Sequence, residues 1–238
     1  MAGPLITEAV VLRSMRFGEA DRILHVYTPM RGRVGAIAKG VRRSRSRFGG
    51  RLEPFFRLNL GLHEGRSDLL TVTSAETVDA YRHLREDAGA LDIAARACDS
   101  VGRLFDSGEA HPEVFHLLCT FLALLDADPV GATASRHVAL RLKLLLAAGF
   151  APQLAACATC GEADHLVGYS ATAGGVVCAA CEASSFAIDA ATHEFLTHAL
   201  SRPLAETGPS EDRIVRLADR AVVETAAFHA NVRLRSAG

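Results

Sequence analysis

"LEPFFRLNLGLHEG", Leu52 to Gly65, decides how the first third of the chain is read. Phe56, Leu58, Leu60 and Leu62 occupy every second position, with polar or small residues between them. That is the period of a strand with one buried face. A turn at Glu64 and Gly65 leads into "SDLLTVTSAETVDAY", Ser67 to Tyr81, which completes a hairpin. Working back, "RGRVGAIAKG" is a short apolar strand bounded by Gly32 and Gly40. "RILHVYTP" alternates Ile23, His25 and Tyr27 against Leu24 and Val26 and stops at Pro29, and "EAVVLRSMRF" carries an apolar segment from Ala9 to Leu12. Five short strands with glycine-marked turns predict a small antiparallel barrel, for which the five-stranded OB-fold is the natural candidate.

From Leu84 onward the period becomes helical. Leu91, Ala94, Ala95, Cys98, Val101 and Leu104 form one stripe that stops at Gly108. A second helix begins at Pro112 and ends before Pro129, as the preference for proline at the first helical position predicts. A third, from Ser135 to Phe150, is closed by Gly149 and Pro152, and two more are expected near 190–201 and 210–233. Cys98 and Cys119 fall on apolar faces and read as small core residues. The expected class is α+β: an OB-fold barrel over residues 1–80, then a helical domain over 81–238 with a cysteine-bearing insert at about 155–184.

The composition is that of a globular protein, 49% hydrophobic and 22% charged with a mean hydropathy of +0.17, which excludes a mainly disordered chain. No stretch of about twenty apolar residues is present, so no membrane span is expected. "MAGPLITEAVVLRS" lacks a basic segment followed by a long apolar one, so no signal peptide is read and the cytoplasm is the expected compartment. The net charge of −1 hides an asymmetry: residues 1–80 carry thirteen Lys/Arg against eight Asp/Glu, and the remainder thirteen against nineteen. A basic front and an acidic back point to two units with different partners.

"CATCGEADHLVGYSATAGGVVCAAC" is the most specific local signal. Cys157-x-x-Cys160 and Cys178-x-x-Cys181 are separated by seventeen residues, inside the range of a four-cysteine zinc site. Four thiolates satisfy the tetrahedral preference of zinc and leave no open position, so the metal is read as structural, one Zn2+ per chain. "GGVV", Gly174 to Val177, reads as the strand that delivers the second pair. Three rivals are weaker. A disulfide framework needs an oxidising compartment. A thioredoxin-like site uses one C-x-x-C in a strand–helix unit. A zinc deaminase needs proline before its C-x-x-C. His165 lies close in sequence, but four cysteines already close the site.

Between Asp21 and Glu53 there is no carboxylate at all, while Arg31, Arg33, Lys39, Arg42, Arg43, Arg45, Arg47 and Arg51 fall within twenty-one residues. Such a concentration repels itself unless an anion neutralises it, and nucleic-acid phosphate is the commonest such anion. A solvated loop is the plainer reading of the same residues. Ser44, Ser46, Gly49 and Gly50 are expected to let the loop follow a phosphate backbone. With no tryptophan and 6% aromatics, base stacking would rest on Tyr27, Phe17, Phe48, Phe55 or Phe56. Phe48, among the arginines, is the best placed, and sequence-tolerant binding follows. No G-x-x-x-x-G-K-[ST], G-x-S-x-G or H-E-x-x-H is present, so neither a nucleotide cofactor nor an enzyme is expected.

These pieces resemble the bacterial DNA repair and recombination protein RecO family. The resemblance lies in "VLRSMRFGEADRILHVYTPMRGRVGAIAKGVRRSRSRFGGRLEPF", above all Phe17-Gly18-Glu19 with Asp21-Arg22, in "VTSAETVDAYRHLRED", and in "LLLAAGFAPQLAACATCG" with "GGVVCAAC". It covers about residues 5–185. It implies an N-terminal OB-fold, a helical domain and, in many members, a zinc-binding insert, with no bond-making catalysis. It also implies binding of ssDNA and dsDNA, annealing of complementary strands, and action with RecR to load RecA onto DNA coated by the single-strand-binding protein SSB. The family's contact with the acidic C-terminal tail of SSB lies on the helical domain, where Arg136, Arg141 and Lys143 stand near leucines. Localisation on the nucleoid follows from the same resemblance. An RNA-binding or transcription-associated zinc protein would share the charge pattern, but would prefer RNA and ignore SSB-coated DNA.

Overall fold

A computed structural model describes residues 5–236 except Ser44, Gly49, Arg66 and Ser107. The looseness expected of Ser44 and Gly49 therefore concerns positions outside the described residues. The first five strands are β1 (Leu5–Phe17), β2 (Asp21–Thr28), β3 (Gly32–Ala38), β4 (Arg57–His63) and β5 (Leu70–Asp79). They close into a barrel in the order β1-β2-β3-β5-β4, the five-stranded barrel read from the sequence. The antiparallel pairing expected of the barrel holds at four of its five seams; at the fifth, β3 and β5 run parallel through Ala36↔Leu70 and Ile37↔Thr71. The reason is parity: a ring of five strands cannot alternate direction at every neighbour, so one pair must be parallel.

The inward residues follow the period read from Phe56 to Leu62. Leu58, Leu60 and Leu62 are buried, as are Ala9 and Val11 of β1, Leu24 and Val26 of β2, and Val34, Ala36 and Ala38 of β3. Each such leucine or valine is worth about 1.5–3 kcal/mol over an exposed one. Strand β1 runs well past its apolar core. Its first half pairs with β4 and its second half with β2, and the register shifts between Val11 and Arg13. The shift bends the strand so that it serves both neighbours.

By compactness the chain divides into residues 1–129 and 130–238. The first unit holds the barrel with α1 (Ala88–Leu104) and α2 (Pro112–Ala127). Asp87 caps α1 by accepting from Ala90 N at 2.8 Å, and Pro112 opens α2. Tyr27 of β2 packs edge-on against Phe105 at the end of α1. Gly32 (φ +56°) lets the segment between the helices lie against the β2–β3 turn; a Cβ there would stand 2.5 Å from the Glu109 carbonyl oxygen.

The second unit holds α3 (Ala134–Ala147), a three-stranded sheet in the order β7-β6-β8, α4 (Ala190–Ser201) and α5 (Asp212–His229). Its strands are β6 (Leu166–Ser170), β7 (Gly175–Cys178) and β8 (Phe186–Ala187). Helix α3 ends as expected: Gly149 takes φ +80° and Phe150 N donates back to Leu145 O at 2.8 Å. Helix α5 ends four residues before the expected limit, because Asn231 adopts φ +54° and Val232 N donates to Ala226 O at 3.0 Å. Among the described residues no helix is long and apolar enough to cross a membrane.

Candidate metal centre and nucleic-acid interface

The four cysteines converge. The Sγ atoms of Cys157, Cys160, Cys178 and Cys181 all lie within 4.8 Å of one another, and those of Cys160 and Cys178 are 3.7 Å apart. A tetrahedron with Zn–S bonds of about 2.3 Å has edges of about 3.8 Å, so the donor set fits zinc in size and in chemistry. Two tight turns build it. Gly161 N donates to Cys157 O at 2.9 Å, and Cys181 N donates to Cys178 O at 2.9 Å. β7 delivers the second pair, as read from "GGVV", by pairing Cys178 with Leu166. His165 (φ +54°) is exposed and outside the cluster.

Four thiols this close cannot all ionise unaided. Backbone hydrogen bonds, that of Cys178 first, hold Cys157 down to about 6. Cys181 is pushed up to about 12, chiefly by Cys160. Such a set favours a cation that takes all four as thiolates. Cys157 and Cys178 are buried, Cys181 is half-buried and Cys160 is exposed, so the centre lies at the surface of its hairpin. The hairpin is tied to α5 through Tyr169 OH and Thr225 Oγ1 at 2.7 Å, His229 Nε2 and Ala171 O at 2.8 Å, and Arg220 over the Phe186 ring at 4.0 Å.

The basic segment between β3 and β4 is fastened to the barrel at both ends. Gly40 N donates to Asp21 Oδ1 at 2.8 Å and Arg42 N to Ala20 O at 2.9 Å, which fasten its start to the β1–β2 turn. Phe55 N donates to Val11 O at 2.7 Å at its far end. Phe48 and Leu52 are each 1% exposed and belong to the barrel core. The expected stacking role of Phe48 is therefore corrected: its ring plugs the barrel and is closed to a base. The eight predicted cations separate into groups. Lys39, Arg42, Arg43 and Arg45 are exposed and, among the described residues, make no ion pair. Arg47 lies over the Phe48 ring at 4.8 Å, and Arg51 donates to Phe48 O at 3.3 Å, so both brace the loop. Arg31 pairs with Glu64 at 2.5 Å and Arg33 with Asp106 at 3.1 Å.

The three α3 cations share no open surface. Arg136 is half-buried in the first turn, and Lys143 donates to Leu200 O at 3.0 Å. Arg141 is wholly buried and bonds to Asp219 of α5, which leaves it no surface for a peptide tail. Sequence reading passed over Arg13 and Arg16, both exposed on the second half of β1. Their polar run hid the strand; the signal was the alternation that continues through "RSMRF".

Residues 1–81 match the family described as Recombination protein O N terminal, and residues 85–237 match Recombination protein O C terminal. The chain belongs to the recombination protein O family. Its RecO relatives include the DNA repair protein RecO of Anaeromyxobacter sp. (strain K), 42% identical over 175 residues, which span 72% of this chain and 68% of the relative. The DNA repair protein RecO of Rubrobacter xylanophilus is 38% identical over 206 residues, 84% of this chain and 82% of the relative. That of Nocardioides sp. is 36% identical over 237 residues, 96% of each. The RecO matches extend across both the barrel and the residues that carry the cysteine centre.

Proposed function

We propose that this chain is a recombination mediator of DNA repair that works by binding and not by catalysis. It holds ssDNA and dsDNA on the basic segment of the barrel, anneals complementary strands, and acts with RecR to load RecA onto SSB-coated ssDNA on the nucleoid. The observation that carries this reading is the set of four exposed cations, Lys39, Arg42, Arg43 and Arg45, which make no ion pair among the described residues and lie on one segment anchored to the barrel. An anchored cation surface can neutralise two strands at once, lowering their repulsion while base pairing supplies specificity. Arginine presents a planar fork of donors that suits phosphate. Zinc on Cys157, Cys160, Cys178 and Cys181 is structural in this reading. It fastens the hairpin that α5 holds. The acidic tail of SSB is proposed to meet residues 130–238, with the half-buried Arg136 and Lys143 as its α3 cations and Arg141 reserved for packing.

The test is annealing of complementary strands precoated with SSB, wild type beside a variant with Lys39, Arg42, Arg43 and Arg45 all replaced by alanine. The wild type should accelerate pairing and the variant should not. Removing four phosphate contacts should also flatten the slope of log K against log salt by about 3. Unchanged DNA binding by the variant would sink the assignment. Failure of both proteins to anneal, with binding to RNA, would put the RNA-binding reading first.

A further inference from the structure

The aromatic residues expected as stacking candidates meet different fates. Tyr27, Phe48 and Phe55 are buried, and Phe56 is half-buried beneath the Arg85 guanidinium at 4.6 Å. Phe17 is 51% exposed, and among the described residues it has no ring or cation partner. Its place follows from strand register. Arg13 stands opposite His25, Met15 opposite Ile23, and Phe17 opposite Asp21. Ile23 in turn stands opposite Ile37, and His25 opposite Gly35. Directly opposed residues share a face. Leu24, Val26, Ala36 and Ala38 point into the core, so Met15, Phe17, Ile23 and Ile37 lie on the outer face of β1–β2–β3.

This outer face combines an apolar row with cations. Met15, Ile23 and Ile37 are half-buried in one row across three strands, with the open Phe17 ring at its end. Arg13 is exposed on this same face, opposite His25, while Arg16, opposite Arg22, lies on the other face of the strand. The turn that follows Phe17 is the one to which Gly40 and Arg42 are fastened, so the basic segment begins beside the ring. The Asp21 carboxylate there is already engaged by Gly40 N–H, which leaves Glu19 as the opposing exposed acid. An isolated exposed phenylalanine needs no explanation. One at the end of β1, opposite Asp21 of β2 and beside the first interstrand loop, on the outer face that continues across β2 and β3, adjoins the surface on which such barrels hold oligonucleotides.

We propose that Phe17 is the base-stacking residue of this protein, receiving an unpaired base of single-stranded nucleic acid while Arg13, Arg42 and Arg43 hold the flanking phosphates. The proposal rests on the nucleic-acid reading above and adds strand-state discrimination to it. Stacking needs an open base face, which a single strand offers and the interior of a duplex does not. Binding through Phe17 therefore weakens when the held strand pairs, so annealing releases its product without fuel. The arginine contacts set the salt dependence, and the ring contributes a part that salt does not screen.

The experiment titrates the full chain against oligo(dT) and against a duplex of equal length over a range of salt, using wild type, Phe17→Ala and Phe17→Trp. Phe17→Ala should weaken oligo(dT) binding about tenfold at every salt with an unchanged slope, and leave duplex binding within about twofold. The chain has no tryptophan, so Phe17→Trp introduces a single indole. Its emission should be quenched by oligo(dT) and not by the duplex, with affinity retained. Wild-type affinity in Phe17→Ala, an equal loss on both nucleic acids, or an unquenched indole would each overturn the stacking site while leaving the arginine surface standing. Failure of the wild type to bind either nucleic acid would remove both.

Discussion

Arg141 of α3 donates from Nη1 to Oδ1 of Asp219 on α5, joining two helices inside the unit of residues 130–238. The Arg141 side chain has no exposure and that of Asp219 has 8%, so water does not screen the pair. Val138, Leu142 and Leu145 of α3 and Val215 and Val222 of α5, within one turn along their helices, are buried as well. Removing one partner takes an opposite charge out of that interior. Asp219→Ala is expected to cost about 3–5 kcal/mol in urea unfolding followed through the helical signal. The paired replacement Arg141→Met with Asp219→Leu should return to within about 1–2 kcal/mol of wild type, because an apolar pair carries no desolvation cost. A loss under about 1 kcal/mol for the single variant would mean that the charges are satisfied elsewhere.

The six cysteines should separate into two classes by reactivity. Burial pushes the Cys98 thiol well up, and burial pushes Cys119 up to about 11, so neither presents a thiolate at neutral pH. In reduced, freshly purified protein, elemental analysis should find about one zinc per chain, and a thiol reagent should find little to modify. A chelator should release four reactive thiols, and denaturant should release the remaining two. Full reactivity of Cys157, Cys160, Cys178 and Cys181 before chelation, with no zinc bound, would remove the metal from the account.

Acid should reveal the cap of α4. Asp189 accepts from Thr192 Oγ1 and from Thr192 N, and it pairs with Arg213 of α5. The Thr192 hydroxyl first, then Arg213, hold its carboxyl well below the ordinary aspartate value of 3.8. A folded value below the unfolded one makes a contribution that is present above the unfolded value and lost as pH falls through the folded one. The gap in Tm between wild type and Asp189→Asn should therefore be widest near neutral pH and shrink below 3.8. A gap that stays constant on acidification would show that the charge adds nothing.

Much of this protein was legible wherever a local pattern reports burial directly. Leu58, Leu60 and Leu62 alternate because β4 faces the core on one side only, and the structure buries all three. The two C-x-x-C pairs announce a cluster that could hold a metal ion because covalent spacing alone constrains each knuckle, and the structure brings the pairs together. Gly149 marks a helix end through its own backbone freedom.

Other features were decided by partners distant in sequence. Phe48 sits in a stretch without period, and only the closed barrel shows that its ring fills the core. Arg141 looks like a surface cation until Asp219, seventy-eight residues later, neutralises it. The second half of β1 reads as polar, since pairing with β2 and not burial holds it. Phe17 was one of five possible stacking residues, and it stood out only when the fold buried Tyr27, Phe48 and Phe55 and half-covered Phe56.

The sequence by itself determined the strand and helix periods, the cysteine ligand set and the concentration of positive charge, because each depends on residues close along the chain. The tertiary structure alone decided which cations stand exposed without an ion pair among the described residues, which of the five aromatic candidates is open and which strands run parallel. Those outcomes depend on long-range neutralisation, on competition for one core and on the closure of a five-membered ring of strands, none of which a local window of sequence contains.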